Sequence, residues 1–135
     1  MLSDKELEHR EYSRSRDDLV QCFPNTYSLA TMEVGFGWHG ILADLGQELE
    51  SVISNWQPNL SNLTEESDRL IKPYVARVYV KYGQMYIKLI GDIDENMIRI
   101  VKHYERKSLS VCEYCGSPGR LNKRKYSIIT TCDKH

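Results

Sequence analysis

The sequence predicts an α+β fold, with a small helix–hairpin–helix body over residues 1–109 and a smaller hairpin element over residues 110–135. Three observations predict it. Ile41, Leu42, Leu45, Leu49, Val52 and Ile53 recur at the spacing of one helical face, with Trp38 and Trp56 at its ends. Residues 73–90 alternate apolar and polar side chains about Gly83, the pattern of a β-hairpin. The last 24 residues pair Cys112-x2-Cys115 with Cys132-x2-His135 across a 16-residue spacer.

Within the body, helices are expected at about residues 4–20, 38–55 and 92–108, and the hairpin at about 74–90. Ser3-Asp4-Lys5-Glu6 fits a capping box at the start of the first helix, which is mostly polar, with Leu7, Tyr12, Leu19 and Val20 as its apolar positions. Residues 23–37 read as a connection, broken by Pro24 and punctuated by Gly35, Gly37 and Gly40, with Gly35-Phe36-Gly37-Trp38-His39-Gly40 as a hinge that lets Phe36 and Trp38 pack close to the backbone. The hairpin should place Val78, Val80, Ile87 and Leu89 on one face and Tyr79, Lys81, Tyr86 and Lys88 on the other. Gly83 supplies the positive backbone angle of the tight turn. Two strands alone are marginal, so this hairpin must pack on the helices. Residues 57–72 read as a polar linker. Asp92 is the expected N-cap of the last body helix, and Lys102, Arg106 and Lys107 suit its negative end.

The paired motif at the C-terminus carries the clearest chemistry. A two-residue gap lets one tight turn aim both side chains at one ion, and two such pairs furnish the four soft or borderline ligands of tetrahedral Zn²⁺. Cys112, Cys115, Cys132 and His135 are therefore the expected ligands of one structural zinc. Gly116 stands where the knuckle turns. A strand near 119–121, a basic turn at Asn122-Lys123-Arg124-Lys125 and a strand at 126–131 complete a zinc-ribbon pattern. Four protein ligands leave no open position for a reactive water.

The chain has 135 residues and a net charge of −1, but its charge is unevenly placed. Residues 99–135 hold nine Lys/Arg against three Asp/Glu, a net +6, and residues 1–98 hold nine against sixteen, a net −7. An acidic body with a basic tail suggests an anionic partner for the tail. No apolar run has the length of a membrane span, and Met1–Lys5 shows no secretory h-region, so a cytoplasmic protein without membrane partners is expected. Three of the four cysteines belong to the metal motif. Cys22 stands apart and is expected to be a small buried hydrophobe.

Several enzyme readings fail on the residues. His9-Arg10-Glu11 lacks the Pro-Cys partner of a zinc deaminase, because Val111 precedes Cys112. The glycines at 35, 37 and 40 do not make a dinucleotide fingerprint. Asp44, Glu48 and Glu50 read as a solvated helix face, and Asp92, Asp94 and Glu95 as helix-start acids. No catalytic residues and no cofactor-binding residues beyond the metal ligands are assigned, and the chain is read as a non-enzyme.

The order of these motifs also resembles a family of small uncharacterised phage and prophage proteins with a C-terminal zinc ribbon. Cys22-Phe23-Pro24, Gly37-Trp38, Val80-Lys81-Tyr82-Gly83, Cys112-Glu113-Tyr114-Cys115-Gly116-Ser117-Pro118-Gly119 and Cys132-Asp133-Lys134-His135 carry the resemblance. The chain departs from it in a shortened Gly35–Trp38 segment and a longer N-terminal helix. The resemblance implies a phage origin and residence in a host cell. The first functional expectation is thus a binding protein that engages a host or phage macromolecular complex, inhibiting a host system for example. The alternative is a nucleic-acid-binding protein, with Arg120, Lys123, Arg124 and Lys125 on phosphates and Tyr126 or Tyr114 stacking. A nuclease ranks last.

Overall fold

A computed structural model describes residues 15–58 and 71–135, and it is a mixed helix and sheet structure. The expected capping box at Ser3–Glu6 and most of the linker at 57–72 lie outside the described residues. Residues 15–22 are helical (α1). α2 spans Pro24–Tyr27, β1 Thr31–Glu33, α3 His39–Ser54, β2 Tyr74–Lys81, β3 Gln84–Ile90, α4 Glu95–Lys107, β4 Arg120–Lys123 and β5 Ile128–Thr131, with short 3₁₀ turns at Phe36–Trp38 and Ser108–Ser110.

Residues 23–37 are not a plain connection. Pro24 has no N–H to lose at the first helical position and opens α2. The amides that α2 leaves unpaired are satisfied by a side chain of α3: Glu50 accepts from the Asn25 amide (3.2 Å) and side chain (2.9 Å), and from the Thr26 amide (3.0 Å) and hydroxyl (3.3 Å). So Glu50 is not a solvated face residue, because a carboxylate is the best acceptor for a helix start. Tyr27 is wholly buried and donates its hydroxyl to the Leu42 carbonyl at 2.5 Å. Gly46 of α3 is the seat of this packing, since a Cβ there would fall 2.7 Å from the Phe23 ring. Glu50→Ala should lower stability by about 2 kcal/mol, the scale of losing charge-assisted hydrogen bonds to a helix start, and Glu50→Gln by about half as much, read from urea midpoints.

β1 then pairs in parallel with β2, Met32 opposite Val78, and β2 pairs antiparallel with β3, Val78 opposite Ile87. The expected two-stranded hairpin is therefore part of a three-stranded sheet, ordered β1-β2-β3. A parallel neighbour requires a crossover, and α3 lies in it. Three residues of β1 are too few for alternation to show in the sequence.

The turn between β2 and β3 has positive φ at both Tyr82 (51°) and Gly83 (79°). Two left-handed residues mark the turn whose twist suits a hairpin, and Asn, Asp or Gly are its usual occupants. Tyr82 is the one non-glycine with positive φ among the described residues, a conformation that costs an L-residue about 1–2 kcal/mol.

The core lies between the helices and the inner sheet face. Trp38, Leu45, Leu49 and Ile53 from α3 and its entry turn, Val75, Val78 and Met85 from the sheet, and Met97 from α4 are wholly or almost wholly buried. On the outer face the Tyr79 and Tyr86 rings stack at 5.7 Å, and the Arg77 guanidinium, paired to Glu33 at 2.7 Å, lies 4.3 Å from the Tyr79 centroid. α4 covers the free edge of β3. Ser108 Oγ accepts from the Met85 amide at 2.9 Å, and Glu105 Oε2 from the Ile87 amide at 2.8 Å. Burial pushes the Glu105 carboxyl up, opposed by the Ile87 bond and by Lys102. This edge cannot add a further strand.

Two local expectations are corrected. Asp94, not Asp92, caps α4, accepting from the Met97 amide at 2.8 Å. Asp92 instead accepts from the Trp56 indole at 2.8 Å. Cys22 is exposed, because Ser15, Leu19 and Phe23, at four-residue intervals, form the inward side of α1 and its exit.

Candidate metal centre and the surface around it

Cys112, Cys115, Cys132 and His135 come together with their ligand atoms all within 4.8 Å of one another. Cys115 Sγ lies 3.6 Å from Cys132 Sγ, and His135 Nδ1 lies 3.2 Å from Cys132 Sγ and 3.8 Å from Cys112 Sγ. A tetrahedral site with metal–sulfur bonds of about 2.3 Å and a metal–nitrogen bond of about 2.0 Å has edges of roughly 3.5–3.8 Å. The cluster thus has the dimensions of a site for one metal ion. No similar group of His, Cys, Asp or Glu side chains occurs elsewhere among the described residues.

Local backbone geometry makes the site. The Gly116 amide donates to the Cys112 carbonyl at 2.9 Å, and the Cys112 amide to the Ser117 carbonyl at 2.8 Å, closing a knuckle around the first pair. Gly116 sits at φ 80°, where a side chain would be strained. The His135 amide closes a second turn on the Cys132 carbonyl at 3.2 Å. The Ser117 hydroxyl, and then its amide, hold the Cys115 thiol down to about 6. Against a lowering bond from the Lys134 amide, burial and the neighbouring thiols push Cys132 up. A metal ligand must be the deprotonated sulfur, so a bound divalent cation would offset the mutual repulsion of thiolates this close.

The knuckle is set into the body. The Gly37 amide donates to the Glu113 carbonyl at 2.7 Å, the Gly35 amide to Glu113 Oε2 at 2.9 Å, and the Trp38 indole to the Val111 carbonyl at 2.8 Å. A Cβ on Gly37 would lie 2.2 Å from the Cys112 carbonyl oxygen, and one on Gly35 2.4 Å from that of Glu113. Neither glycine is a hinge; each marks a place where two backbones meet with no room for a side chain. Burial pushes the Glu113 carboxyl up, opposed by the Gly35 amide. A second contact joins β5 to the body turn, where Thr130 Oγ1 donates to the Gly83 carbonyl at 2.7 Å.

β4 and β5 pair in register from Arg120–Thr131 to Lys123–Ile128. The basic turn shifts toward the C-terminus: Asn122 lies in β4 with its amide 2.6 Å from Thr131 Oγ1, and the turn is closed by the Arg124 amide on the Ser127 carbonyl at 2.7 Å. Of the expected contact residues, Arg120 faces Asp133 at 3.5 Å, and Arg124 donates to the His135 carbonyl. Lys123 and Lys125 are exposed, and Lys125 Nζ lies 5.4 Å from the Tyr126 ring centroid. Tyr114 is half exposed, its ring 5.6 Å from that of His135.

Of the acids weighed in the sequence, Glu50, Asp92 and Asp94 are held by hydrogen bonds. The Glu48 carboxylate beside the Tyr104 phenol, together with burial, pushes that phenol up to about 12. Sequence reasoning missed three residues of this region: Gly37 as a seat, Glu113 as a latch and Tyr82 at the body turn. The Gly-x-Gly-Trp spacing and a Tyr before the turn glycine were the available signals. No helix of the described residues is long and apolar enough to cross a membrane.

Fold and site together define an α+β protein with a C-terminal Cys/His cluster compatible with one metal ion. No family model matches the chain, and neither a curated protein nor a solved structure matches it.

Proposed function

We propose that the cluster holds one structural Zn²⁺, that residues 110–135 form a zinc ribbon on a helix–hairpin–helix body, and that the protein is a non-enzymatic nucleic-acid binder. The observation that carries this reading is the placement of charge. A closed four-ligand site stiffens a hairpin that ends in Lys123, Arg124 and Lys125. Phosphate neutralisation by such a tip needs no catalytic group and makes affinity fall steeply with salt.

The rival reading is a partner of a host or phage protein complex. It draws on the resemblance to phage and prophage proteins and on the acidic body. It is weaker here because Glu50, an acid of the expected face, is tied to α2.

The test is fluorescence anisotropy of labelled DNA and RNA oligonucleotides against the zinc-loaded chain over a range of salt. Lys123→Ala with Lys125→Ala should weaken binding severalfold and flatten the log–log salt slope by about 1 per residue, without changing the melting temperature. If no oligonucleotide binds at low salt, while a host lysate yields one stoichiometric protein partner, the rival reading replaces this one.

A further inference from the structure

We infer that the groove between the β2–β3 turn and the β4–β5 turn is a seat for single-stranded nucleic acid, with Tyr82 and Tyr126 stacking on its bases. The inference deepens the proposed function and rests on that reading for the class of ligand.

The groove is open, has a volume of about 570 Å³, and is lined by Val80, Tyr82, Lys123, Arg124, Tyr126 and Ile128 among others. Its two aromatic rings are unusually bare: Tyr82 is 70% exposed and Tyr126 89% exposed. Neither ring earns its position by burial. Tyr82 moreover occupies a left-handed backbone position that Asn or Gly would fill with less strain. A strained, solvent-facing aromatic contributes little to the fold, which directs attention to a contact made outside it.

The two turns repeat one device. Each tyrosine follows a lysine, Lys81-Tyr82 and Lys125-Tyr126. In each pair the ammonium lies over the ring that follows, at 5.6 Å and 5.4 Å. A ring beside an ammonium is the elementary unit of a single-strand platform: the base stacks on the ring and the phosphate meets the cation. Lys123 and Arg124 line the wall, and Lys81 and Lys125 stand beside the two rings. The acid that lines it, Glu113, directs a carboxylate oxygen to the Gly35 amide.

The groove is also preformed. Gly83 of the first turn accepts a hydrogen bond from Thr130 of the second hairpin, and a Cβ on Gly83 would lie 2.6 Å from Leu121 Cδ2. The backbones that carry the tyrosines are therefore held against one another, and binding need not order them. Stacking requires unpaired bases, which a duplex does not offer, so the occupant is a single strand.

The test compares one labelled oligonucleotide as a single strand and as a duplex, against the zinc-loaded chain, by anisotropy and tyrosine quenching. The strand should bind more tightly than the duplex. Tyr82→Ala and Tyr126→Ala should each weaken strand binding roughly 5- to 100-fold and leave duplex binding nearly unchanged. Tyr82→Asn separates ligand contact from folding: it should raise the melting temperature while weakening the strand. Tyr79→Ala on the outer sheet face should have no effect on binding. Equal affinity for strand and duplex, with no effect of the tyrosine variants, overturns the groove and leaves the basic-tip reading standing. An equal loss with Tyr79→Ala moves the bases to the sheet face and overturns it too. No binding to any nucleic acid overturns both readings.

Discussion

Chelating the metal should unsettle the whole chain rather than its last 24 residues. The protein as purified should carry one equivalent of zinc by elemental analysis. Cys112 is fully buried, the knuckle it opens bonds Gly35 and Gly37, and Val111 just before it bonds Trp38. Structural zinc contributes folding free energy of roughly 10–16 kcal/mol in small fingers, of the same order as the entire stability of an ordinary domain. Here the body has its own core, so a partial loss is expected, about 4–5 kcal/mol. At roughly 3–5 °C per kcal/mol for a chain of this size, the melting temperature should fall by about 15 °C or more. The reporter is Trp38, which is wholly buried and donates to Val111 in the stretch leading into the knuckle. In a Trp56→Phe background its emission should shift to the red on chelation and return with zinc. An unchanged Trp38 spectrum after complete metal removal would show the body to be indifferent to the Cys/His cluster.

Gly37→Ala should be the most damaging single-methyl change in the chain. Its Cβ would stand 2.2 Å from the Cys112 carbonyl and 2.6 Å from both the Glu113 carbonyl and the Gly116 amide, all of them backbone atoms. Backbone cannot rotate out of the way as a side-chain tip can. Relief requires the knuckle to lift from the body, breaking the Gly37–Glu113 bond and straining the Cys/His cluster. A cost of about 3 kcal/mol is expected, at the upper end of overpacking, with weakened zinc retention in a chelator competition. Gly40→Ala is the control. Nothing stands within 4 Å of its Cβ, and it lies in α3, where alanine is favoured by up to about 1 kcal/mol. Equal melting temperatures for the two variants would refute the tight seat.

Much of the fold was legible where a short-range rule acts. α3 announces itself because its buried residues repeat at helical spacing, and the β2–β3 hairpin because its alternation runs through a turn glycine. The Cys/His cluster was legible because two-residue spacing is itself the geometry of a knuckle that brings paired side chains together. β1 was not legible: three residues carry no period, and their pairing with β2 is a long-range event. Asp92 and Asp94 are both acceptable caps by type; they are told apart by the Met97 amide bonding Asp94 and the distant Trp56 indole bonding Asp92.

The sequence by itself determined the mixed helix and sheet class, the C-terminal Cys/His cluster and the basic character of the C-terminal end, because each depends on residue type at close spacing. Tertiary structure decided what those parts are for one another. Gly35 and Gly37 look like a flexible punctuation in the chain, yet they are a rigid seat, since the backbone they must admit lies more than seventy residues away at Glu113. Tyr82 and Tyr126 look like unrelated turn residues, yet they line one groove, because the Thr130–Gly83 hydrogen bond brings two hairpins together. Spacing along a chain encodes what one segment can form, and only packing between segments reveals which surfaces they share.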